Sequence, residues 1–129
     1  MLTTSAEMVG HATVVDLPSL NPNFPPTPPN EVPRDNLVNT LSKLVNEGVY
    51  AVAIEGADGM GTTTLLSQFV RKHAATCISL FVTAANKFSI DPDLMRTDLA
   101  TQVYWALTGE VLDRKTGSPR EFVKTFKCR

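Results

Sequence analysis

The sequence contains little cysteine and no long apolar run, and both facts narrow what the protein can be. Its 129 residues include two cysteines, Cys77 and Cys128. Two thiols without a histidine–cysteine cluster indicate neither a zinc site nor a disulfide framework, so we expect reduced thiols in the cytoplasm. No run approaches the ~18 apolar residues of a membrane helix, and the N-terminus lacks the basic start and apolar core of a signal peptide.

An excess of charge of one sign is also lacking. Twelve basic and 13 acidic residues give a formal net charge of −1, and 43% of the residues are hydrophobic. This composition is typical of an ordinary globular protein. It favours neither nucleic acid nor a membrane surface as a partner.

Proline is concentrated in one stretch, because seven of the nine prolines lie between Pro18 and Pro33. Proline lacks an N–H donor and restricts the residue before it, so this stretch predicts an extended linker. A proline-rich ligand for an aromatic groove is the alternative interpretation. We expect an N-terminal leader and linker (1–33), a folded domain (34–109) and a polar C-terminal segment (110–129) with a short helix from Pro119 to Lys127.

Hydrophobic periodicity predicts three helices in the domain. The first covers about 36–47 and ends before Gly48, the second runs from Thr62 to about Ala74, and the third starts at Asp91-Pro92 and reaches Gly109. Two short apolar runs, 49–54 and 78–82, are typical of strands covered on both faces. Strands that alternate with helices predict an α/β fold with parallel pairing.

A glycine-rich turn joins the first predicted strand to the second predicted helix. Its sequence is Glu55-Gly56-Ala57-Asp58-Gly59-Met60-Gly61-Thr62-Thr63-Thr64. In the phosphate-loop motif G-x-x-x-x-G-K-[ST], Gly56 and Gly61 occupy the glycine positions and Thr63 the hydroxyl position. Thr62 stands where the motif has lysine.

The spacing has a chemical reason. Glycines allow positive φ angles and let backbone N–H groups approach an anion, and the helix that follows begins with unpaired N–H donors and a positive dipole end. A hydroxyl at Thr63 would bind the Mg²⁺ that accompanies ATP. We therefore predict a nucleotide-binding loop formed by Gly56, Ala57, Asp58, Gly59, Met60, Gly61, Thr62, Thr63 and Thr64.

The absent lysine weakens this prediction. Loss of one charged contact to phosphate costs ~1.5–3 kcal/mol, or roughly ten- to a hundredfold in affinity. Asp58 adds a negative charge inside the loop. Arg71 and Lys72 lie roughly 14–15 Å along the helix from Thr62, too far to replace the lysine. The sequence does not decide whether Lys87 or Arg96 approaches the loop.

With these residues in place, the stretch from about Pro33 to Gly109 resembles the start of a STAND-type P-loop ATPase domain, the class that includes the NACHT ATPases. The resemblance lies in the Pro33-Arg34 start of the first helix, the loop, and the Thr63-Thr64-Leu65-Leu66 start of the second. It implies a partial P-loop NTPase-like three-layer sandwich, truncated before the Walker B strand. It also implies an ATP-dependent switch with Mg²⁺, and a protein partner or further C-terminal region that completes the sheet.

Enzymatic activity has less support. After Thr83 no apolar strand ends in paired acidic residues, and Glu110 and Asp113 lie in a polar context, so no catalytic residue is assigned. The first hypothesis is an ATP-binding switch module with weak or absent hydrolysis. The second is a non-catalytic protein-interaction module with a degenerate loop. A small-molecule kinase is a third, disfavoured by the absent lysine, lid and arginine set.

Overall fold

The computed structural model describes residues 15–112. This range contains three α-helices: α1 at Asp35–Asn46, α2 at Thr62–Lys72 and α3 at Pro92–Thr108. Two 3₁₀ helices, Pro18–Leu20 and Lys87–Ile90, complete the elements. α1 packs against α2, whereas α3 packs against both 3₁₀ helices. The three predicted helices are thus confirmed, with ends within about two residues of those expected.

Local capping chemistry explains where the helices begin and end. The Asp91 carboxylate accepts hydrogen bonds from the N–H groups of Asp93 and Leu94, and Pro92 follows at the first helical position. These are strong signals for the start of α3. Gly109 ends α3 with a φ of 71°, and Gly48 follows α1 with a φ of 80°. Both glycines adopt the left-handed conformation that side chains disfavour.

The predicted α/β fold is wrong for the described residues. Residues 15–112 form helices, turns and irregular segments but no strand, so this part of the chain is all-α. The two apolar runs expected to be parallel strands, 49–54 and 78–82, have no hydrogen-bonded ladder. Tyr50 is fully exposed, and Val52 and Val82 are exposed as well.

The physical reason is that a strand needs a neighbouring strand to satisfy its backbone. The second run is instead held by side chains, because the fully buried Gln102 and the buried Asn21 both bond to Ser79. No side chain of the described residues holds the first run in this way, and it lies largely at the surface. The expected partial three-layer sandwich with parallel strands is therefore absent from the segment that the structure describes.

The proline-rich stretch packs onto the helices, because Pro18–Leu20 contacts α3 and the Val32 carbonyl accepts a hydrogen bond from Gln68 of α2. Leu17 is completely buried, and its N–H donates to the carbonyl of Ala74 at 3.1 Å. The rings of Phe24 and Phe81 meet edge to face, with centroids 5.2 Å apart. The three-part division of the chain stays a prediction. The first 14 residues of the leader, and the C-terminal segment from 113 with its expected helix, lie outside the described residues.

Apolar burial is limited. Among residues 15–112 the buried apolar side chains are Leu17, Val38, Leu65, Val70 and Ala100. Polar groups are buried beside them, including Ser67, Ser79, Ser89 and Gln102. Hydrogen bonds between segments therefore do much of the positioning that a larger apolar core would do. None of the helices within 15–112 is long and apolar enough to cross a membrane.

Candidate functional site

The glycine-rich loop makes a sharp turn directly before α2. Gly59 and Gly61 have φ angles of 81° and 79°, and the N–H of Met60 donates to the carbonyl of Ala57 at 3.1 Å. Gly61 is the residue that precedes the first helical position. The chain thus reverses within a few residues, as the sequence pattern predicts.

The loop lines one side of an open cavity of about 610 Å³. Most of the predicted nucleotide-binding residues line it, together with two residues that precede them: Ile54, Glu55, Gly56, Ala57, Asp58, Gly59, Gly61, Thr62 and Thr63. Of the nine predicted residues, Met60 and Thr64 do not line the cavity. The structure brings the other seven together on one concave surface, and their role in binding stays a prediction.

The first amides of α2 are available to a ligand. No side chain caps this helix end, and in residues 15–112 no acceptor takes the N–H groups of Thr62, Thr63 or Thr64. The first intrahelical bond is donated by Leu65, to the carbonyl of Gly61 at 2.9 Å. Unpaired donors at a positive helix end are suited to an anion.

The Thr62 side chain folds back toward Gly56. Its Oγ1 would be 2.9 Å from a Cβ placed on Gly56. The hydroxyl therefore lies across the start of the loop and does not reach outward as the lysine of the motif would. Gly56 itself has no positive φ, so it is this close approach, and not backbone conformation, that requires glycine there.

Two carboxylates oppose anion binding at the cavity. Glu55 and Asp58 both line it, and both are exposed. Within the described segment no group of three or more His, Cys, Asp or Glu side chains could hold a metal ion. The Thr63 hydroxyl is a suitable Mg²⁺ ligand when phosphate oxygens supply others. The donor set therefore fits Mg²⁺ bound with a nucleotide and not Mg²⁺ bound by protein alone.

A positive charge not predicted from sequence lies beside the loop. A Cβ placed on Gly61 would be 2.6 Å from Nη2 of Arg34 and 3.1 Å from its Cζ. The guanidinium therefore touches the last loop glycine. Neither Lys87 nor Arg96, whose approach the sequence left open, lines the loop cavity. Arg34 is 27 positions before Gly61 in the sequence, so no local spacing could indicate the contact.

A second cavity of about 390 Å³ adjoins the first at Thr63. It is lined by the chain around Phe24 and Phe81 and by the polar side chains of Asn23 and Asn86. Asn86 donates to Asn23 at 2.9 Å, and Asn23 in turn is 3.5 Å from the Asp98 carboxylate. Burial raises the pKa of Asp98 above its usual value.

Comparison with protein-family models, with curated proteins and with solved structures finds no match for this chain. The resemblance to STAND-type ATPases therefore stays a prediction that rests on the loop and its flanking residues.

Proposed function

We propose that this chain binds the phosphate groups of a nucleoside triphosphate, ATP with Mg²⁺, in the loop 56–64. The observation that carries the proposal is the cavity formed by seven of the predicted residues beside three unpaired amides of α2. Amide donors and the helix dipole would hold the phosphates. Thr63 would add a hydroxyl to the Mg²⁺ that the phosphates carry.

Binding without strong catalysis is the activity that these residues support. Phosphoryl transfer depends on positive groups that stabilise charge in the transition state. Thr62 is neutral, and Glu55 and Asp58 would repel the phosphates. We therefore propose a nucleotide-sensing module of a STAND-type switch, with weak or absent hydrolysis. The proposal includes a cytoplasmic location, where ATP is abundant and the thiol of Cys77 stays reduced.

Thermal unfolding with Mg²⁺-ATP and Mg²⁺-ADP tests this function. A ligand at ten times its Kd stabilises the native state by about 1.4 kcal/mol, which raises the Tm of a small domain by several degrees. The variants are wild type, Thr62→Lys, and Thr40→Lys as a control that adds the same charge on an exposed position of α1.

We expect ATP to raise the Tm of the wild type and of Thr40→Lys equally, and that of Thr62→Lys further. A shift in Thr62→Lys alone would mean that the natural loop does not bind. If Mg²⁺-ATP raises the Tm of none of the three variants, the proposed nucleotide function is wrong.

A non-catalytic interaction module is the second candidate. It is favoured by the apolar side chains that the extended segments leave at the surface, among them Tyr50, Val52, Ile78 and Val82. Apolar surface of this kind is typical of sites that contact another protein. Under this proposal the loop is only a turn. Mg²⁺-ATP then leaves the Tm of the wild type and of Thr40→Lys unchanged.

A further inference from the structure

The position of Arg34 is fixed by α2, the helix that follows the loop. The Gln68 side chain accepts a hydrogen bond from the N–H of Arg34 and donates one to the carbonyl of Val32, both at 2.9 Å. The carbonyl of Arg34 accepts from the N–H of Val38 at 3.0 Å, inside α1. Because only backbone atoms of Arg34 make these bonds, its side chain is not needed to hold the start of α1.

Within residues 15–112 no carboxylate pairs with the guanidinium of Arg34. Among the described arginines, Arg71 pairs with Glu31 at 2.5 Å and Arg96 pairs with Asp93 at 3.5 Å. Within residues 15–112 no ion pair includes Arg34, although Glu55 and Asp58 line the neighbouring loop cavity. Its charge is therefore available to an anion at the loop.

Gly61 contacts the Arg34 guanidinium and also lines the loop cavity. Gly61 lines the cavity, and its α-hydrogen side is covered by the Arg34 guanidinium. Arg34 does not itself line the loop cavity, and it lines a separate cavity of about 350 Å³ with its neighbours Pro33, Asp35, Asn36 and Leu37. Since Gly61 has no Cβ, nothing of its own side chain separates the guanidinium from a phosphate beside the loop. Within residues 15–112 no hydrogen bond or ion pair holds the Arg34 side chain, so it can rotate toward an anion beside Gly61.

We infer that Arg34 supplies the positive charge that the loop lacks at Thr62, by binding the phosphates of the nucleotide from the start of α1. The inference rests on the proposed nucleotide function and names a further binding residue of the same site. Guanidinium groups bind phosphate oxygens in pairs and stay charged at all physiological pH values. Such a contact would offset the repulsion from Asp58 and Glu55.

The test is the affinity of the full chain for Mg²⁺-ATP, measured by calorimetry. We expect Arg34→Ala and Arg34→Gln to weaken binding by about ten- to a hundredfold, and Arg34→Lys to weaken it less. Arg96→Ala, which removes an arginine charge that does not line the loop cavity, should bind as wild type does. The Gln variant keeps the side-chain length, so it serves where the alanine variant fails to fold.

A rescue experiment separates charge from structure. If Arg34 replaces the lysine of the motif, Thr62→Lys in the Arg34→Ala background restores affinity to at least the wild-type value. Failure of this rescue in a folded variant would overturn the inference and assign Arg34 a structural role. Wild-type affinity in both Arg34→Ala and Arg34→Gln would also overturn it, while the nucleotide function would stand.

A different set of binding results would show that the proposed nucleotide function itself is wrong. If neither wild type nor Thr62→Lys binds Mg²⁺-ATP, the loop has no nucleotide function and the inference falls with it. If Thr62→Lys binds and wild type does not, Arg34 fails to replace the lysine, and the inference is overturned although the loop can accept phosphate.

Discussion

Gln102 and Ser79 are joined by two hydrogen bonds between a side chain and a backbone. The amide oxygen of Gln102 accepts from the N–H of Ser79, and its amide nitrogen donates to the carbonyl of Ser79, both at 2.9 Å. Gln102 is completely buried and Ser79 nearly so. A glutamine of α3 thus satisfies the same backbone groups that a neighbouring strand would satisfy in a sheet.

Replacement of Gln102 should therefore destabilise the protein strongly. Gln102→Ala leaves the Ser79 N–H buried without an acceptor, and we expect the free energy of unfolding to fall by about 2–3 kcal/mol. The carbonyl of Ser79 keeps a bond from Asn21 at 3.1 Å, which limits the loss. Urea unfolding measures the change, with Thr108→Ala near the exposed end of α3 as a control. A loss below about 0.5 kcal/mol for Gln102→Ala would show that the pair does not hold this segment.

The Glu31–Arg71 ion pair should contribute more to the free energy of unfolding than the exposed Lys43–Glu47 pair. Its side chains are 14% and 28% exposed and their charged atoms lie 2.5 Å apart, whereas Lys43 and Glu47 are 3.7 Å apart and 74% and 55% exposed. Glu31→Gln leaves a mostly covered arginine without its counter-charge, so we expect a loss of about 1–3 kcal/mol. Glu47→Gln, the matched control, should cost at most about 0.5 kcal/mol. Equal effects in denaturant unfolding would contradict this ranking.

The contact between Gly56 and Thr62 predicts a specific effect on stability. In Gly56→Ala the added methyl group would lie 2.9 Å from the Thr62 hydroxyl, closer than carbon and oxygen normally approach. One of the two must move, which we expect to lower the free energy of unfolding by about 1 kcal/mol in urea unfolding. Thr62→Ala removes the obstacle, so adding Gly56→Ala to that variant should change stability little. An equal loss in both backgrounds would mean that another contact requires the glycine.

Asp98 should make stability depend on pH. Burial raises its pKa above the usual value near 3.8, so the folded protein favours the protonated form. The resulting contribution to stability is complete below the unfolded pKa and is lost as the pH rises through the folded pKa. We expect Asp98→Asn to gain stability relative to wild type as the pH rises from 4 to 7. A difference in unfolding free energy that is constant over this range would contradict the assignment.

The helices could be predicted because their signals are local. Asp91 followed by proline starts α3, and glycines with positive φ follow α1 and α3, so a few adjacent residues decide each end. The turn at the loop was predicted for the same reason. Positive φ at Gly59 and Gly61 is a property of residues that lack a Cβ.

The strands were predicted wrongly because an apolar run does not specify its partner. Residues 49–54 and 78–82 match buried strands in composition, but strand pairing depends on segments distant in sequence. Ser79 obtains its backbone partners from Gln102 and Asn21, which lie 23 and 58 positions away. The Arg34–Gly61 contact was missed for the same physical reason, since it follows from how α1 packs on α2.

The central claim is that backbone amides of the loop bind phosphate, and NMR observes those amides directly. A ¹⁵N–¹H correlation spectrum of the full chain is recorded while Mg²⁺-ATP is added. If the loop binds phosphate, the signals of Gly59, Gly61 and Thr62 to Thr64 move furthest and saturate together. If these signals stay unchanged at a saturating concentration of ATP, whether or not other signals move, phosphate binding by the loop is contradicted.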